Sequence, residues 1–543
     1  MDDKHDLSRR GFLGAAAGVT AAAAVGASTQ AAHGQPGSPP PGASGGGDLA
    51  LVNGKIHTFD EGNRVVSQVL IRDGRFAAVG SVGGGAPQVI NLHGRTVIPG
   101  LIDNHCHFVR IGQAAGYDMR RLETAFSIEE AQAVIAAYAA EIPEGEWLTA
   151  LAGIARRQFA DPARFPTREE LDDAAPDHPV VISELFAAQT NTLGRDRLRD
   201  LGVDVADDGT LAQGNAYNAL SQFITMETKM REQLRVSEYA LSVGLTAVMD
   251  DHGNAGGPAG ILDRVTGHDH VVQLWREGRL PVRIRLRFAV QQGLDDPELL
   301  QVYVNHRWEG FGDDMMINAG IGEWAPRGDL YQNSLRIMAE RSYLYHQHLI
   351  STGEIQNHLD AFQQFVAENP DLPHPSEMHW NLGHISGITE AQVLEANALG
   401  VGLAPHGWNY LTSNSPGPHW RMIVDLATVP VGTGLDFARV APMYPWANVY
   451  FMVTGRNSGG ALVGEDRRIT REEAIRLYAG PQQGWFSKEE DRLGGIGVGR
   501  YADLVVLEKD FFDPNAVPDE DIRRMQSALT IVGGKVRYDA GVL

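Results

Sequence analysis

The residues best placed to do chemistry are His105 and His107, which flank Cys106 near the end of the segment VIPGLIDNHCHF, Val97 to Phe108. Pro99-Gly100 is a turn signal, and Leu101-Ile102 reads as a short buried strand. On an extended strand, residues i and i+2 point to the same side. The two imidazoles can therefore aim at one point, the geometry a hard-to-borderline divalent cation takes. Cys106 falls on the opposite side and reads as a small buried hydrophobe. It is the one cysteine of the chain, so no intrachain disulfide forms. A second pair, His346 and His348 in Tyr343-Leu344-Tyr345-His346-Gln347-His348, shares a face by the same rule.

PGLIDNHCHF resembles the first-strand signature of the amidohydrolase superfamily of metal-dependent hydrolases, and the chain is most similar to its YtcJ-like branch. In that branch the fifth strand ends H-A-I-G-D, and a helix bearing L-D-A-F follows. Here Leu349 to Thr352 follow His348, and Leu359-Asp360-Ala361-Phe362 stand at the matching distance. The resemblance thus implies His348, not His346, as a metal ligand. It also implies His384, where the family's E-H reads Gly383-His384; His379 lies at the wrong end of that strand. Asp436, in Gly434-Leu435-Asp436, matches the family's G-S-D, with Pro442 and Pro445 following as its loop prolines do. The implied role of Asp436 is metal ligand and general base, taking the proton of water activated by the metal.

The chain departs from the family in one decisive respect. No lysine lies between Lys229 and Lys488, so a carboxylated lysine on the fourth strand cannot bridge two metals. Glu323 stands where a bridging residue could be, and a carboxylate has two oxygens to offer. Two readings stay open: Glu323 bridges two ions, or one ion is held by His105, His107, His348 and Asp436. Zinc is the default for such N/O donors. The resemblance implies hydrolysis of an amide-like, non-peptide C–N bond in a small-molecule substrate. The alternatives are a lyase or an ester or lactone hydrolase on the same metal site, or a non-catalytic barrel. Trp324, Arg327, His406, Trp408 and Tyr410 are candidate walls of the substrate pocket.

The elements that must carry these residues are readable in outline. The chain has 543 residues and a formal charge of −22, which argues against nucleic acid or an anionic membrane as partner. Ser8-Arg9-Arg10-Gly11-Phe12-Leu13, followed by an Ala/Gly/Val run, resembles a twin-arginine export signal over residues 1–32. It predicts the twin-arginine export machinery as partner, a periplasmic location and no stable membrane span. Residues 33–47 read as a Pro/Gly/Ser linker. Short strands with Asn53-Gly54, Asp73-Gly74 and Gly533-Gly534 hairpin turns predict a small β-sandwich from 48–98 and 491–543. Between them, 99–490 alternates helix and strand character. With an insertion at about 111–243, candidate strands fall at Leu245–Met249, Val282–Phe288, Met315–Ile321, Tyr343–His348, His379–His384, Val401–Ala404 and Pro430–Leu435. Adding the first makes eight, so a (β/α)8 TIM barrel is expected, its site at the C-terminal strand ends.

Overall fold

A computed structural model of the chain describes residues 48–542 except 83–87, 152, 160–162, 185, 254–266, 290–296, 307, 324–329, 408–413 and 439. The export-signal and linker expectations, and Trp324, Arg327, Trp408 and Tyr410, lie outside the described residues.

Strand one, Leu101–Cys106, is buried at every position. It pairs in parallel with strand two, Leu245–Gly253, which pairs with strand three, Arg283–Ala289, and that with strand four, Met316–Gly322. Strands five to seven, His346–Leu349, Asn381–His384 and Gly402–Pro405, form a second parallel set. Ile321 bridges Tyr345 in parallel, and its N–H donates to the Leu344 carbonyl at 3.0 Å. On the other side, the stretch 431–437 runs between strands seven and one. Leu403 bridges Val431 and His406 bridges Gly434. The Asn104 N–H donates to the Thr433 carbonyl at 3.0 Å, and the Asp436 N–H to the His105 carbonyl at 2.9 Å. The Asp103 carboxylate accepts from the His105 and Leu435 N–H groups at 3.0 and 3.1 Å. Gly434 permits this approach, since a Cβ there would meet the His105 backbone at 2.6 Å. The fold is TIM-barrel-like α/β, with helices such as Met226–Ser242 and Thr352–Glu368 packing their apolar faces on the strands.

The two chain ends build two further sheets. One, of four strands, takes Leu49–Val52, Val69–Arg72, Arg75–Val79 and Gln88–Asn91. The other, of six strands, joins Lys55–His57, Val65–Val66 and Thr96–Pro99 to Leu504–Leu507, Ser527–Val532 and Lys535–Asp539. Leu51, Val69, Phe76, Leu504 and Ile531 belong to one apolar core between them. Asp73-Gly74 and Gly533-Gly534 are hairpin turns, closing the pairs Arg72↔Arg75 and Val532↔Lys535. Asn53-Gly54 is not: Leu49–Val52 and Lys55–His57 pair in different sheets, so this turn crosses from one to the other. Leaving the sheet with Val66 behind it, the chain returns to the first sheet only at Val69.

Residues 111–225 carry a sheet of their own, in the order Thr210–Ala212, Ala187–Thr190, Val180–Ser183, Leu148–Leu151 and Tyr117–Asp118. The helix Ile128–Glu141, capped by Ser127, packs beside it through Ala131, Ile135 and Tyr138. Among the described residues, no helix is long and apolar enough to cross a membrane.

Candidate metal centre

The six residues expected as ligands meet at the C-terminal strand ends. His105 and His107 come from strand one and the residue after it, Glu323 follows strand four, His348 lies on strand five, His384 ends strand six and Asp436 lies in 431–437. His107 Nε2 is 3.0 Å from Asp436 Oδ1 and 3.6 Å from Glu323 Oε2. His105 Nε2 is 3.3 Å from Glu323 Oε1 and 3.5 Å from Asp436 Oδ1. Glu323 Oε1 also lies 2.8 Å from His348 Nδ1 and 3.6 Å from His384 Nε2. The donors thus form two groups that share Glu323. One is His105, His107, Glu323 and Asp436; the other is Glu323, His348 and His384, each within 4.8 Å of one another.

The backbone is bent to bring them there. Glu323, His384 and Asp436 have φ of 47°, 65° and 55°, the left-handed region that side chains with a Cβ seldom adopt. Such residues cost about 1–3 kcal/mol each and persist where the surroundings impose them, often at functional sites.

The donors are chemically ready for a cation. His107 Nδ1 lies 2.6 Å from the Asp251 carbonyl, which can only accept, so the lone pair of this imidazole sits on Nε2, facing the carboxylates. His105 Nε2 and both ring nitrogens of His384 are buried without a hydrogen-bond partner. Buried polar atoms are normally paired, and a divalent ion in each group would satisfy His105 Nε2 and His384 Nε2, the nitrogen that faces Glu323. Burial pushes the Glu323 carboxyl up, but the imidazoles of His107, His105, His348 and His384 hold it well below the usual range. Asp436 is likewise lowered, burial being outweighed by His105 and His107. Burial drives His384 down to about 3, keeping it a neutral ligand, whereas Asp251 outweighs burial at His105 and Glu323 outweighs it at His348, so both are raised and a cation would take the place of their protons. Neutral imidazoles and ionised carboxylates are the donor set of zinc and its first-row neighbours.

Behind the donors lies a layer that the H-x-H spacing does not announce. His105 Nδ1 is 2.9 Å from Asp251 Oδ2 and 2.9 Å from His346 Nε2. Arg287 Nη2 lies 2.7 Å from the same Asp251 oxygen and also meets the Asn104 carbonyl. His346, whose Nδ1 faces Asn381 Oδ1 at 2.5 Å, fills, together with the Gln347 carbonyl, the space that a side chain at Gly383 would take. That accounts for glycine where the family has glutamate. His406, expected on a pocket wall, has no exposed surface; its ring stacks on His105 with centroids 4.4 Å apart. His379 sits away from the centre, 3.2 Å from Glu490.

This strand-end geometry is that of a metal-dependent hydrolase. A model described as "Amidohydrolase family" matches residues 88–538. The chain belongs to that family and is an enzyme, a metal-dependent amidohydrolase. It is similar to an N-substituted formamide deformylase of Arthrobacter pascens, at 24% identity over 91% of this chain and 98% of that protein. Among solved structures it resembles an uncharacterized metal-dependent hydrolase from Pyrococcus furiosus, with a TM-score of 0.57 and 19% identity over 86% of this chain and all of the other. It also resembles the atrazine chlorohydrolase TrzN from Arthrobacter aurescens TC1 complexed with zinc, with a TM-score of 0.54 and 14% identity over 91% and 97%.

Proposed function

We propose that this chain is an exported hydrolase of an amide-like, non-peptide C–N bond, working with two divalent ions, zinc by default. His105, His107, Asp436 and Glu323 would hold one ion, and His348, His384 and Glu323 the other. The setting is a closed eight-stranded barrel flanked by a β-sandwich. The hydrogen bonds from 431–437 to strand one and the shared core of the two terminal sheets support that reading. The observation that carries the function is the placing of Glu323 between the two donor groups, Oε2 toward His107 and Oε1 toward His348 and His384 and also His105. A formamide deformylase that aligns over nearly its full length supports the C–N bond as target.

When bound, divalent ions supply Lewis acidity, lowering the pKa of a water to roughly 7 and polarising a carbonyl oxygen. The chain's own residues do the rest. Asp436 turns Oδ1 toward His107 Nε2 at 3.0 Å as a ligand, and its other oxygen, Oδ2, takes the proton of the attacking water and returns it to the leaving nitrogen. Burial of Glu323 and Asp436, 5% and 7% exposed, limits the water that competes for them.

The test is bound metal per protomer in wild type and in Glu323→Ala, by elemental analysis. About two ions falling to one or fewer supports the bridge. About one ion in both makes the centre mononuclear, and no ion after reconstitution overturns the metal reading. A panel of N-substituted formamides, esters, lactones and carboxylic acids then separates the C–N hydrolase from the other chemistries the fold could host.

A further inference from the structure

Asp251 lies near the end of strand two, and two of its atoms reach the histidine pair of strand one. Its side-chain Oδ2 is 2.9 Å from His105 Nδ1. Its main-chain carbonyl is 2.6 Å from His107 Nδ1. Arg287, fully buried on strand three, holds the same Oδ2 at 2.7 Å. Strand four leaves the space: a Cβ on Gly322 would fall on the Asp251 carboxylate. An imidazole that donates through Nδ1 presents its lone pair at Nε2. Both Nε2 atoms face Glu323 and Asp436.

We infer that Asp251 is a positioning residue that sets the tautomer and ring plane of both His105 and His107, by its side chain on one and its main chain on the other. The inference rests on the metal-centre reading above. His346 Nε2 competes for His105 Nδ1 at the same 2.9 Å. It is a neutral acceptor, and a hydrogen bond to a carboxylate is roughly twice as strong. Asp251 therefore governs, with His346 as the lesser partner. Asn at 251 keeps the main-chain hold on His107 and weakens the side-chain hold on His105. The ion held by His105 and His107 should then loosen without being lost, and the ion held by His348 and His384 should be unaffected.

The experiment loads wild type, Asp251→Asn and Asp251→Glu with cobalt. It measures ions per protomer, the rate of loss to excess chelator, and the visible ligand-field bands. Expected is a D251N protein with wild-type circular dichroism that releases one ion about 10–100 times faster, the usual scale for losing an outer partner of a ligand. Its bands shift, the slower ion keeps its rate, and D251E restores part of the difference. A purely structural role would not move the bands of one ion alone. Wild-type release and wild-type bands in D251N overturn the inference while leaving the metal centre standing. A wild type that takes up no ion overturns the metal-centre reading, and this one with it. Should D251N fail to fold, Arg287→Lys carries the comparison. It leaves the carboxylate in place, but its ammonium falls short of the guanidinium nitrogen Nη2, which holds both that carboxylate and the Asn104 carbonyl, so the carboxylate is held less firmly. The same faster release is expected there, and unchanged release overturns the inference.

Discussion

Glu323, His384 and Asp436 share a left-handed backbone, and each leaves its strand at the point where a side chain must turn across the barrel mouth. In these three the carboxylate or imidazole faces another candidate donor, and Ile385 and Ala438 beside them are left-handed as well. For Asp436, the proposed proton acceptor, Asp436→Asn removes the basic oxygen at nearly constant volume. The expected loss in kcat is about 10²- to 10⁴-fold, with KM changed far less, measured on whichever panel compound the wild type cleaves. The donors were legible in the sequence because their strands end in a recognisable register. His105 and His107 needed only the two-residue period of a strand. His384, His348, Asp436 and Glu323 needed the family's spacing. Asp251 and His346 were not legible as partners of His105. Each contacts it across a parallel sheet, and nothing in a single strand encodes which neighbour lies behind an imidazole. Gly383 and Gly322 are the trace they leave, visible only once the cross-strand contact is known.

Strand three carries charge into the interior at the scale of an element. Arg283, Ile284, Arg285, Leu286, Arg287 alternates charged and apolar residues at the period of a strand. In the fold all three arginines are fully buried, and Ile284 and Leu286 pack into the apolar core on the other face. The guanidinium groups are matched one by one: Arg283 with Asp503, Arg285 with Glu489 and Arg287 with Asp251, each at 2.7 Å. Alternation gives the strand but not which face turns inward, because the carboxylates arrive from distant segments. Breaking a buried pair leaves one charge uncompensated, so Glu489→Gln should destabilise the fold by about 3–5 kcal/mol. Burial raises the Glu489 carboxyl, but Arg285 outweighs it and holds it below its ordinary 4.5. A depressed carboxyl contributes stability that is fully present above the unfolded pKa and is lost as pH falls through the folded one. The gap between wild type and E489Q should therefore be full at neutral pH and narrow on acidification below about 4.5, as thermal melts across that range would record.

At the scale of the molecule, the terminal strands and the alternating middle were legible from turn residues and periodicity. The sheet inside 111–225 was not, since its strands are two to four residues long and separated by helices. The export reading belongs to this scale, because the twin-arginine route carries folded proteins. Replacing Arg9 and Arg10 by lysine should leave folded, metal-loaded protein in the cytoplasm, scored by cell fractionation with elemental analysis. Secretion of the double variant at the wild-type level would remove the twin-arginine reading. The six-stranded sheet gives this a temporal side. Thr96–Pro99, which leads straight into strand one, pairs with Leu504–Leu507, and strand one itself lies between strand two and 431–437. During synthesis the first two imidazoles leave the ribosome long before either partner exists. Until 431–437 is made, strand one keeps that edge open, and the centre cannot assemble before Asp436, the last of its candidate donors in chain order, has been synthesised.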